Sequence, residues 1–177
     1  PERFIEAIDM CEDYGCDVII IDSLSHAWEG SGGILEIHGN MPGNSFANWS
    51  RVMPRHNALI QTFMHSSAHI IATLRAKQDY IIHDRNGRMS PEKVGLKPVQ
   101  KEGIDYEFTL ALELDMHHKA KASKDRTGLF MDKDPFLITP ETGKKLADWC
   151  KKPEHISNVI QHISNTYKHS LNGNSNY

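Results

Sequence analysis

Asp22 closes the run Asp17-Val-Ile-Ile-Ile-Asp22, in which consecutive β-branched side chains end on a carboxylate. A short, unbroken apolar run of this kind reads as a strand buried on both faces, as in parallel sheets covered by helices. A carboxylate at the C-terminal edge of such a strand stands where ligands bind in open α/β sheets. Asp also starts turns, so the strand alone leaves a structural reading equally open. A second apolar run, Ala68-His-Ile-Ile-Ala-Thr-Leu74, carries Thr73 near its end and is followed by Arg75 and Lys77. A third cluster, Ser123-Lys-Asp-Arg-Thr-Gly128, places two cations around a turn in which Gly128 can supply a positive φ.

Eleven histidines invite a metal reading, above all His117 and His118 beside Asp115. Adjacent strand residues point to opposite faces, so this pair does not converge on one ion. No HExxH spacing occurs. Surface histidines in a turn are the better account. Glu29 is the acid that follows Asp22 most closely and could serve as a general base only if its loop folds back; a solvated acid is the simpler reading.

The elements that must position these residues follow from periodicity. Phe4, Ile5, Ile8 and Cys11 are spaced for a helix over Glu2 to Tyr14, with Gly15 as its stop. Ser31 to Asn44 is rich in Gly, includes Pro42, and predicts a loop. One helix is expected over Ser45 to Val52 and another from Pro54, burying Leu59, Ile60, Phe63 and Met64. Strand, helix, strand in this order is a βαβ crossover, hence a parallel pair. Gln78 to Gly103 is polar and basic, and Asn86-Gly87 within it is a hairpin signal.

Phe108, Leu110, Leu112 and Leu114 alternate through Glu107 to Asp115, and the chain returns over Lys119 to Lys124 with Ala120 and Ala122 inward. That pattern predicts an antiparallel hairpin added to the sheet. Thr139-Pro140 opens a helix reaching Trp149. Pro153 starts a last amphipathic helix carrying Ile156, Val159, Ile160, Ile163 and Tyr167, and an Asn- and Ser-rich tail from His169 is expected to be disordered. The expected organisation is an α/β core over 1–150, an accessory helix over 151–168 and a tail over 169–177.

Composition sets outer bounds. The 177 residues suffice for one domain with a real core. A hydrophobic share of 39%, a charged share of 24% and a net charge of −3 are ordinary for a soluble protein. Any nucleic-acid partner must therefore meet a local basic patch. No apolar run approaches the roughly 20 residues that span a bilayer, and no signal peptide is visible. Cys11, Cys16 and Cys150 form no CxxC pair, which fits reduced thiols in a cytoplasmic setting.

The motifs also carry a resemblance. Asp17 to Ser23 resembles the Walker B strand of the RecA family, in which Asp is followed by Ser. Ile70-Ile-Ala-Thr-Leu-Arg-Ala-Lys77 resembles that family's next strand, whose polar end senses the γ-phosphate, and Lys124-Asp-Arg126-Thr-Gly128 resembles the Lys-x-Arg-x-Gly motif of RecA-like recombinases and hexameric helicases. His26-Ala-Trp-Glu-Gly30, Asn44-Ser-Phe, Trp49, Pro54-Arg-His56, Val94-Gly-Leu-Lys-Pro98 and Tyr106-Glu-Phe108 are similar to an ATPase group of bacteriophages linked to recombination and single-strand annealing.

The resemblance implies a RecA-like fold, incomplete at its N-terminus, that uses ATP and Mg2+. Asp22 would hold the metal through water, with Ser23 and Arg75 beside the nucleotide and Thr73 as sensor. Lys124 and Arg126 would act as fingers in a neighbouring subunit's site, which implies a homo-oligomeric ring or filament. Lys77, Arg85, Arg88, Lys93 and Lys97 would face single-stranded DNA near the oligomer axis. No GxxxxGK[ST] occurs in the sequence. In the family's order the phosphate-binding loop and the water-activating glutamate precede the Walker B strand, so both are expected upstream of Pro1, and the chain alone is expected not to hydrolyse ATP. The rival readings are a non-hydrolysing DNA-binding or assembly module of the same fold, a helicase-type motor, and a metal-dependent nuclease, which would need a second carboxylate near Asp22.

Overall fold

The computed structural model describes residues 1–85 and 88–152. Its elements, in order, are α1 (Glu2–Asp13), β1 (Val18–Ile21), α2 (His26–Glu29), α3 (Ile34–Asn40), α4 (Ser45–His65), β2 (His69–Ala72), β3 (Ala76–Arg85), β4 (Arg88–Pro98), a 3-10 turn (Ile104–Glu107), β5 (Leu110–Leu114), β6 (Lys119–Asp125), β7 (Phe136–Leu137) and α5 (Pro140–Cys150). They fall into two compact units, Pro1–Glu107 and the chain from Phe108 onward.

In the first unit β1 and β2 pair in parallel, Val18 opposite His69 through Ile21 opposite Ala72, with α4 in the crossover. The βαβ expectation therefore holds. Burial on both faces does not. Ile19 and Ile21 are buried, whereas Val18, Ile20 and, on β2, Ile71 are 49%, 69% and 53% exposed. In the first unit, helices bury one face of the pair and the other face remains open. The core beneath it is Ile8 of α1, Leu24, Ala27, Ile34, and Val52, Leu59 and Ile60 of α4. Each of these isoleucine, leucine and valine side chains contributes about 1.5–3 kcal/mol on burial.

Two boundaries differ from expectation. Ser45–His65 is one helix with Pro54 inside it, capped by the Asn44 side chain, which accepts the Phe46 and Ala47 N–H groups. Its buried face runs through the proline as Asn48, Val52, His56, Leu59 and Ile60. That continuous packing outweighs the roughly 3 kcal/mol an internal proline costs. Met64, expected inside, is half-exposed. The expected loop holds α3, because Ile34 is fully buried and draws the chain inward. Gly33 permits that approach: a Cβ there would lie 2.8 Å from the Gly30 carbonyl oxygen and 2.9 Å from those of His26 and Trp28.

β3 and β4 form an antiparallel hairpin from Ala76 opposite Pro98 to Arg85 opposite Arg88. The ladder runs to Arg85 and Arg88, as an antiparallel pair requires, and the Asn86-Gly87 hairpin signal lies outside the described residues.

In the second unit β5 pairs with β6 and β6 with β7, all antiparallel. The hairpin exists with Ala120 and Ala122 buried. It is not added to the β1–β2 sheet: among the described residues it builds a separate sheet with β7, an edge strand that periodicity is too short to reveal. Phe136 on β7 stacks on Phe130 at 5.2 Å between ring centroids. α5 starts as expected, with a capping box between Thr139 and Thr142 and Pro140 in the first turn. The accessory helix and the tail, from 153 on, lie outside the described residues. No described helix is long and apolar enough to cross a membrane.

Candidate active site

Asp22 emerges from the C-terminal end of β1 with an exposed side chain, as the sequence predicts. Thr73, one residue past β2, donates its hydroxyl to Asp22 Oδ1 at 2.6 Å. The main chains interlock as well: Thr73 N donates to the Ile21 carbonyl and Leu24 N to the Thr73 carbonyl, both at 2.9 Å. The Asp22–Ser23 peptide is cis. Thr73 thus spends its hydroxyl proton on orienting the carboxylate. The groups brought together here, one exposed carboxylate and the Thr73 hydroxyl, are all oxygen. They fit a hydrated Mg2+, which favours hard oxygen ligands and keeps several waters.

The turn that follows Asp22 is keyed to Arg75. Ser25 Oγ accepts the Arg75 N–H at 2.9 Å, and His26 Nε2 lies 2.6 Å from Arg75 Nη2. His26 Nδ1 lies 3.1 Å from the Ser23 carbonyl oxygen and 3.5 Å from its hydroxyl. Asp22, Ser23, Thr73 and Arg75, all expected at one site, are therefore neighbours. Glu29 ends α2 with an exposed side chain.

A buried brace underlies the turn. Gln100 Nε2 donates to the Leu24 carbonyl at 3.2 Å, and Gln100 Oε1 accepts from Lys101 N at 2.8 Å and pairs with His56 Nε2 at 3.1 Å. Because Oε1 can only accept, His56 carries its proton on Nε2. Burial lowers the His56 pKa, which keeps the ring neutral, and its Nδ1 has no hydrogen-bond partner. Trp28 meets the His56 ring edge-on at 5.5 Å and stacks on Trp49 at 6.1 Å, and His38 also stacks on Trp49, at 4.0 Å. Ser25 and Gln100 carry no local sequence signal, and His56 carries one only within the Pro54-Arg-His56 resemblance. Their partners lie 44 to 76 residues away.

Lys124 and Arg126 belong to the second unit, at the end of β6, where Arg126 N donates to the Thr109 carbonyl at 2.9 Å. The loop between and beyond them is folded on Asp125. Its Oδ1 accepts the N–H groups of Thr127 at 2.7 Å and Gly128 at 3.2 Å, together with the Thr127 hydroxyl. Its Oδ2 accepts the N–H groups of Phe130 at 2.7 Å and Met131 at 3.0 Å. Burial acts to raise the Asp125 pKa, and these hydrogen bonds outweigh it, so the carboxyl titrates below its ordinary value. Gly128 has φ +70°, as the turn reading requires.

On the β3–β4 hairpin, Lys77 stands directly opposite Lys97 and Arg85 opposite Arg88. Lys77 and Lys97 thus carry like charges in directly opposed positions, which repel. Lys97 has Glu102 at 3.7 Å. The side chains of Arg85, Arg88 and Lys93 lie outside the described residues. At the β5–β6 turn, Asp115 Oδ1 accepts the N–H groups of His117 and Lys119 at 2.8 and 2.9 Å, so this carboxylate builds a turn. Among the described residues no cluster of three or more His, Cys, Asp or Glu could hold a metal ion.

The first unit is thus mixed α/β, with a parallel strand pair whose C-terminal end bears an oriented carboxylate. The chain belongs to an AAA domain family, AAA_24, whose model matches residues 2–166. Comparison with curated proteins and with solved structures gives no match.

Proposed function

We propose that this chain forms the magnesium side of the ATP site in a RecA-like ATPase of the phage type, acting on DNA in recombination, annealing, repair or replication. The observation that carries the reading is the Asp22 carboxylate at the end of a parallel strand, held by Thr73 from the neighbouring strand. In this reading Asp22 orients water on the metal and Arg75 meets the terminal phosphate. Lys124 and Arg126 reach a neighbouring subunit's nucleotide in a ring or filament, where such cations can contribute roughly 10³–10⁵ in rate. Thr73 acts on phosphate through the carboxylate it orients. The opposed Lys77 and Lys97 of the β3–β4 hairpin support a polyanion partner, because a phosphate backbone would relieve the repulsion that Glu102 offsets only at Lys97. Single-stranded DNA is the proposed partner.

The test is magnesium-dependent ATP hydrolysis by the protein as its gene encodes it, with and without single-stranded DNA. Asp22→Asn keeps the shape of the side chain and removes its charge. It is expected to weaken magnesium-dependent turnover by about 10–100-fold, the range for groups that act on a metal through its ligands. Turnover equal to wild type in Asp22→Asn would falsify the assignment. If the wild-type protein binds DNA but hydrolyses no ATP, the non-hydrolysing assembly module takes its place.

A further inference from the structure

An arginine guanidinium has donors only. His26 Nε2, 2.6 Å from Arg75 Nη2, must therefore be the unprotonated, accepting nitrogen. The ring proton then sits on Nδ1, which donates to the Ser23 carbonyl at 3.1 Å. Both ring nitrogens are thus committed, and together they fix a neutral imidazole of one tautomer. The residue just before it, Ser25, is almost wholly buried and holds the Arg75 main chain through the N–H. Consecutive residues of one turn hold Arg75 twice, first at its backbone and then at the end of its side chain.

The chemistry of that second contact matters. A carboxylate would also fix the guanidinium, but it would cancel the charge that a phosphate is to meet. A neutral imidazole acceptor fixes the position and leaves the charge in place. An arginine side chain is rich in rotamers, and ordering it on ligand binding costs free energy that prior ordering removes. We propose that His26 is a positioning residue: in its Nδ1–H tautomer it bridges the Ser23 carbonyl and the Arg75 guanidinium, and so presets this cation beside the Asp22 end of β1. The proposal rests on the reading of Arg75 as a phosphate contact, and its test separates the two.

The test uses isosteres. The amide of His26→Gln reaches the Nε2 position and can accept from Arg75, whereas that of His26→Asn reaches only the Nδ1 position and can serve only Ser23. In the protein as its gene encodes it, His26→Ala and His26→Asn are expected to lower kcat about tenfold with KM little changed, the signature of lost alignment. His26→Gln should recover to within about threefold of wild type, and His26→Ala in an Arg75→Ala background should cost nothing more. Nitrogen NMR of the ring should show Nδ1 protonated and Nε2 bare, with Nε2 shifting in Arg75→Ala. If Arg75→Ala turns over like wild type, the phosphate reading falls, and the spectrum alone judges the bridge. An Nε2-protonated ring, or equal loss in His26→Gln and His26→Asn, overturns the bridge itself.

Discussion

The two regions that carry the candidate chemistry are built in opposite ways. The turn after Asp22 is held by residues from three separate parts of the chain: Thr73 and Arg75 beyond β2, Gln100 beyond β4, and His56 within α4 behind Gln100. The Lys124–Gly128 loop is held largely by one of its own residues, since Asp125 gathers main-chain donors no more than six positions away. A site assembled from distant parts inherits its geometry from the whole unit. A loop wound on one carboxylate carries its geometry with it, and so it stands or falls with that carboxylate.

The sharpest way to break this contrast is to remove the one carboxylate. Asp125→Ala deletes the shared acceptor of four main-chain N–H groups and a hydroxyl. A loss of about 2–4 kcal/mol is expected in chemical denaturation, from several hydrogen bonds to one charged acceptor. Hydrogen exchange should speed up at Thr127, Phe130 and Met131. The same loop should be sensitive to acid. The folded pKa of Asp125 lies below its unfolded value of about 3.9. The stabilisation is therefore complete above that value and is lost as pH falls through the folded pKa.

A smaller effect is expected where the load is shared. Gln100→Ala leaves the Leu24 carbonyl and the His56 ring without this partner, which should cost about 1–3 kcal/mol in thermal or chemical unfolding. Thr73 and Ser25 still hold the turn, so the change in Trp28 fluorescence should be slight; a larger loss than in Asp125→Ala would reverse the comparison. The smallest effect belongs to a link that is long in sequence but lies at the surface. Arg55 donates to both Glu2 oxygens at 2.6 and 2.8 Å, and these bonds, ahead of the opposing effect of burial, bring the Glu2 pKa down to about 2. Both side chains are more than a third exposed, so solvent screens the pair. Arg55→Ala should cost less than about 1 kcal/mol at neutral pH. Its effect should vanish in acid, as Glu2 becomes protonated.

The contrast also explains what could be read in the sequence. β1, β2, both hairpins, α1 and α5 were legible because each is encoded by its own apolar period, cap or turn pair. Asp22, Thr73 and Arg75 were legible as neighbours because the βαβ rule places consecutive parallel strands side by side. His26 was visible only within the His26-to-Gly30 resemblance, and its two partners are fixed by tertiary structure. The pairing of Gln100 with His56 was hidden for the same reason: a buried polar pair has no period. α3 was missed because glycines signal a loop, although Gly33 allows close packing against the carbonyls before it. The one-sided exposure of β1 was missed because an unbroken run of isoleucines looks the same whether one face or both are covered.

The parallel pairing of β1 with β2 has a consequence for evolution at this site. Extending the alignment of Ile21 with Ala72 by one step brings Asp22 beside Thr73 on the open face. Sliding either strand by a single position would offer Ala72 or Leu74 to the acid, and neither has a hydroxyl to give. Selection on whatever holds this register, far from the carboxylate or near it, therefore also guards the carboxylate's aim.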